Sequence, residues 1–154
     1  LRVNEKLQLF AELNSSVITS KTNLSPVDKD DLAINQLFVT YQFSDQFNAV
    51  LGRQNKRLGS GRLVDIREGP NVRLSFDMLE LNYAKNKTFL KSFFAVPVIV
   101  NPGVFDNEAL NFSESLTAFY WTQLRERSFN TDIYFLYKRE DNKTWNAGTA
   151  DDNR

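Results

Sequence analysis

Alternation with a period of two runs through this chain and narrows its possible folds more than any other feature. In "EKLQLFAEL", Leu7, Leu9, Ala11 and Leu13 fall on one face, with Lys6, Gln8, Phe10 and Glu12 on the other. In "NQLFVTYQF", Leu37, Val39, Tyr41 and Phe43 oppose Gln36, Phe38, Thr40 and Gln42. "DMLELNY" sets Leu79, Leu81 and Tyr83 against Met78, Glu80 and Asn82, and "TDIYFLYKR" sets Ile133, Phe135 and Tyr137 against Asp132, Tyr134, Leu136 and Lys138. Side chains that alternate in this way lie on opposite faces of a strand. The chain is therefore expected to be all-β, an antiparallel up-and-down meander of about seven strands. Weaker alternation marks Phe47–Gln54, Phe89–Val98 and Ser115–Gln123. In the first of these, any face that takes Arg53 also takes Leu51 and Ala49, so its register stays open. Short and long polar connections alternate between the segments, and only "NEALNFSESL" carries a helical period.

Two kinds of β-structure fit such a pattern. A soluble barrel or sandwich buries its apolar face in a core, whereas an outer-membrane barrel turns it toward lipid. Alternation alone leaves both open. Several strands have the ~9–11 residues that cross an outer membrane when tilted. Their apolar faces end in Tyr41, Phe43, Tyr83 and Tyr137, as an interfacial girdle does, although aromatics favour any strand. A transmembrane helix is excluded by the longest apolar run, Phe93 to Val100, which falls short of ~18 residues and contains Pro97. The chain opens in a strand-like segment and closes on "TADDNR", so residues 1–154 read as a single segment truncated at both ends.

Composition removes most chemistry. With no Cys and no His, the chain has no disulfide, thiol nucleophile, His-containing triad or common zinc site. No cofactor or metal is expected, and no enzyme activity. Asp106, Glu108 and Glu114 could supply a glycosidase pair, but 19 acidic residues make such a pair common by chance. The net charge of zero gives no reason to expect a nucleic-acid partner.

Within this neutral chain, positive charge gathers on one glycine-rich stretch, "GRQNKRLGSGRLVDIREGPNVR". Arg53, Lys56, Arg57, Arg62, Arg67 and Arg73 stand there against only Asp65 and Glu68. Gly52, Gly59, Gly61, Gly69 and Pro70 break regular structure, so most of it is a loop. Guanidinium groups fixed on a loop can hold carboxylates or phosphates bidentately, although a solvated loop with surface ion pairs is the commoner fate of a charge cluster. Its "GSG" lacks the Lys-Ser/Thr of a phosphate-binding loop.

The same stretch, continued as "GSGRLVDIREGPNVRLSFDMLEL", resembles the signature of the alginate-export family of bacterial outer-membrane β-barrels. The matching positions are Gly52, Arg53, Gln54, Gly59, Gly61, Arg62, Leu63, Val64, Arg67, Glu68, Asn71, Arg73, Phe76 and Asp77. "FFAVPV" and "DIYFLY" also look like later strands of that family. Leu74 stands where many members carry a second Arg, and Met78 where many carry Gly. The resemblance implies a segment of a barrel in the bacterial outer membrane, in contact with its lipid, through which an anionic polyuronate is exported. It names no periplasmic partner protein. On this view Arg53, Arg62, Arg67 and Arg73 form part of a constriction, with Asn71, and with Asp65, Glu68 and Asp77 orienting the guanidiniums. The alternative is a soluble β-barrel or sandwich that binds acidic carbohydrate.

Overall fold

The structure, a computed structural model, describes residues 1–19, 21–66, 69–125, 129–141, 144–145 and 148–149. Seven strands form one antiparallel sheet in chain order: β1 (Leu7–Ser16), β2 (Asp30–Ser44), β3 (Phe47–Asn55), β4 (Ser75–Lys85), β5 (Thr88–Pro97), β6 (Glu114–Gln123) and β7 (Thr131–Glu140). A small separate pair follows, β8 (Thr144–Trp145) with β9 (Gly148–Thr149). β1 does not pair with β7, so the sheet is open, as a piece of a larger barrel wall is. The closing segment 150–154 lies outside the described residues.

Connections at one end of the sheet are long (17–29, 56–74 and 98–113) and those at the other are short (45–46, 86–87 and 124–130). The β4–β5 turn places Asn86 and Lys87 at φ 46° and 68°. Positive φ at both central residues gives the twist that suits a two-residue hairpin, and Asn tolerates it best after Gly. No helix occurs among the described residues. The "NEALNFSESL" stretch is not helical: Glu108 pairs with Ile99, Leu110 takes φ 54°, and β6 begins at Glu114. A left-handed residue in mid-segment breaks the helical ladder that its spacing suggested.

Residues paired directly across an antiparallel ladder share a face, so the register assigns every side chain. One row runs Leu7–Tyr41–Ala49–Leu81–Ser92–Phe119–Phe135, and the next runs Leu9–Val39–Leu51–Leu79–Phe94–Thr117–Tyr137. This apolar face is largely bare: Leu51 is 62% exposed, Phe135 61% and Ile133 58%. Such a continuous exposed apolar surface does not belong to a protein bathed in water on that side. A closed soluble core would have buried these residues.

The opposite face holds the buried cluster. Met78, Phe93, Ala95 and Ala118 pack there with Phe76, and the lid over them is the β3–β4 connection, which contributes Leu58 and Val64. Each of those two burials is worth about 1.5–3 kcal/mol. The connection thus lies flat on the sheet instead of projecting from it.

Candidate functional site

The 56–74 connection is clamped at both ends. A bulge between Glu12 and Leu13 brings both Asn35 and Gln36 to Glu12, whose carboxylate accepts from each. Asn35 exchanges amide hydrogen bonds with Asn55, and Asn55 Nδ2 donates to the Leu74 carbonyl at 3.1 Å. Asn55 ends β3 and Leu74 immediately precedes β4, so the two feet of the connection are held together. Its second half also docks on the β1–β2 connection. Val72 N–H donates to the Val27 carbonyl at 3.0 Å, Asn71 Nδ2 to the Asp28 carbonyl at 3.2 Å, and Ser16 Oγ to the Asn71 carbonyl at 2.9 Å.

Between the feet, Gly59 and Gly61 take φ 51° and 75°. A Cβ on Gly59 would come within 2.3 Å of the Tyr120 hydroxyl. Only glycine allows both that conformation and that approach, so the tip rests directly on β6.

The cations of the stretch divide into two sorts. Arg53 forks onto Asp77, with Nε to Oδ1 at 2.9 Å and Nη2 to Oδ2 at 3.1 Å, and also donates to the Ile34 carbonyl. Lys56, 8% exposed, is inserted beside Glu80, 4% exposed, with the Phe93 ring centroid 5.9 Å from its ammonium. Burial of the Lys56 ammonium lowers its pKa, and the Glu80 carboxylate opposes that shift. Arg57 pairs with Asp65 at 2.8 Å near the surface. Arg62 and Arg73 are exposed and make no ion pair among the described residues.

The structure does not bring all the sequence candidates together. Arg53 lies opposite Leu37 and Asp77 opposite Val96, in the row beside Leu9, Val39, Leu51 and Leu79. This settles the register left open at β3: Arg53, Leu51 and Ala49 share the apolar face, away from the 56–74 connection. The Arg53–Asp77 pair is sheltered there in a cleft beside Ile34, Leu37 and Phe105. Asn71 and Asp65 serve the packing of the connection through the contacts described above. Arg67 and Glu68 lie outside the described residues.

Arg62 opens onto a cleft of about 690 Å³ between the connection and β4–β7. Asp65, Glu114, Lys138 and Glu140 also line it, and Lys138 is neutralised by Glu114 at 3.6 Å and by Glu140. The residue that sequence reasoning missed is Lys56. Its signal was its position directly after an alternating strand, with Glu80 on the polar face of the next one.

A family model described as alginate export matches residues 1–154, the whole chain. No curated protein and no solved structure matches it.

Proposed function

The chain belongs to the alginate-export family of the bacterial outer membrane, and on that premise we propose that it forms part of the wall of an export channel for a carboxylated polysaccharide, narrowed by its β3–β4 connection. The apolar face meets lipid and the opposite face lines the passage. By the usual asymmetry of such barrels, the long connections lie outside the cell and the short turns face the periplasm.

One observation carries this reading: the 56–74 connection folds back over the polar face of the sheet and carries exposed Arg62, which makes no ion pair among the described residues. A fixed guanidinium beside a low-dielectric wall raises the local concentration of anions and favours their passage. Exposed Arg73 adds to the same charge on the connection. Arg53 is assigned a different task, holding β3 to β4 through Asp77.

Current block in planar bilayers tests this with the natural-length protein. Soluble polyuronate should block current, and the block should weaken as salt rises, because screening shortens the reach of exposed charge to ~10 Å at 0.1 M. A neutral dextran that blocks equally well would defeat the charge-based reading.

A further inference from the structure

One row on the passage side has a composition unlike its neighbours. Register places Gln42, Asn48, Asn82, Lys91, Tyr120 and Tyr134 in a single line across six strands. The adjacent row toward the long connections carries Val50, Glu80, Phe93, Ala118 and Leu136, most of it beneath the 56–74 connection. The polar line is thus the next level along the passage from that lid. Asn82 Nδ2 donates to Asn48 Oδ1 at 3.1 Å, while Asn82 Oδ1 is buried without a partner. Lys91 makes no ion pair among the described residues, although Glu80 and Asp132 share its face.

At the end of this line Tyr120 and Tyr134 stack with centroids 5.8 Å apart and planes at 8°. Tyr134 is 51% exposed. The two rings open onto a cleft of about 250 Å³ under the tip of the connection, bordered by Ser60, Arg62 and Asp132. Asp132 is held by the Thr122 hydroxyl at 2.7 Å. A cross-strand tyrosine pair stabilises a sheet modestly wherever it occurs. Here, though, the pair fronts a cleft near the lower size limit of ligand sites.

We infer that the Tyr120–Tyr134 pair and Lys91 form a saccharide subsite on the wall beside the tip of the arginine-bearing connection. A pyranose ring has a CH-rich face that packs on a phenol ring, while the hydroxyl edge of the sugar meets the polar tips of Tyr120, Ser60 and Asp132 at the cleft. The Lys91 ammonium takes the carboxylate of a uronate unit. Lys supplies a point charge without a bidentate fork, so it holds a unit and releases it, as passage requires. This inference rests on the export reading above and adds where along the wall a sugar unit pauses.

Calorimetry on the natural-length protein in detergent tests it, using an alginate-derived hexasaccharide and its carboxyl-reduced, neutral counterpart. Tyr134→Ala should weaken both ligands about tenfold, in line with aromatic stacking platforms elsewhere. Lys91→Gln should weaken the acidic ligand alone by about tenfold. Tyr134→Phe, which keeps the ring and the sheet pairing, should retain most binding. Affinities within twofold of the parent for Tyr134→Ala and Lys91→Gln would reduce the row to wall structure and leave the export reading intact. An unaltered protein that binds neither ligand would overturn both.

Discussion

The Lys56 ammonium sits beside the Glu80 carboxylate under the β3–β4 connection, and both are almost fully out of solvent. Lys56 begins the connection and Glu80 lies in mid-β4, so this contact ties the root of the lid to the wall. A buried pair of this kind adds little over an apolar pair of the same shape, but breaking it strands a charge. Lys56→Met should therefore destabilise the protein by about 3–5 kcal/mol, whereas Lys56→Met combined with Glu80→Leu should recover much of that loss. Urea unfolding in detergent measures both. Equal losses in the single and double variants would show that the pair is not what holds the root.

The tip of the connection makes a second point of attachment. Gly59→Val forces a branched residue into φ 51° against the Tyr120 hydroxyl, and it should lift the tip, with a cost of about 1–3 kcal/mol. Hydrogen exchange at the Leu58 and Gly61 amides, which now bond the Val64 and Leu58 carbonyls, should accelerate. A Cβ at Gly69 meets nothing within 4 Å, so Gly69→Ala should leave exchange unchanged.

The bare apolar face sets the membrane expectation. Leu79→Arg, in mid-wall on that face, should cost about 2–4 kcal/mol in lipid. Thr40→Arg, one row away but on the passage side by register, should cost much less. Refolding into lipid vesicles distinguishes the two positions, and equal tolerance would remove the lipid-facing assignment.

The β1–β2 connection carries a titrating anchor. Asp28 holds a pKa of about 2, below its ordinary 3.8, chiefly through the Lys21 ammonium and then the Ser25 N–H and hydroxyl at 2.6 and 2.7 Å. A folded pKa below the unfolded one gives stability that is complete above pH 3.8 and is lost as pH falls to about 2. Carbon-detected NMR of the Asp28 carboxyl should show its midpoint near 2, and Lys21→Met should move that midpoint up. An unchanged midpoint in the variant would assign the shift to the serine.

The strands were legible in the sequence because residues such as Leu7, Tyr41, Phe43 and Leu81 alternate with polar neighbours on both sides. β3 was not, since Arg53 follows Leu51 with apolar parity and its charge is satisfied only by Asp77, 24 residues on. The side to which the 56–74 connection folds was equally illegible. Leu58 and Val64 have no period of their own, and their burial depends on Met78, Phe93 and Ala118 from three different strands. Two positions where the family resemblance lapses, Leu74 and Met78, both fall in this contact. An Arg and a Gly there would not supply the apolar surface on which this lid rests.

Reversal potentials in planar bilayers under a KCl gradient test the central claim most directly. If the connection places Arg62 in the passage, the natural-length protein should prefer Cl⁻ over K⁺, and Arg62→Glu should weaken or reverse that preference. Arg125→Glu, in the short β6–β7 connection at the other end of the sheet, should change it little. Equal shifts from Arg62→Glu and Arg125→Glu, or no preference in the unaltered protein, would contradict the account and leave the arginine-rich connection as a solvated surface loop.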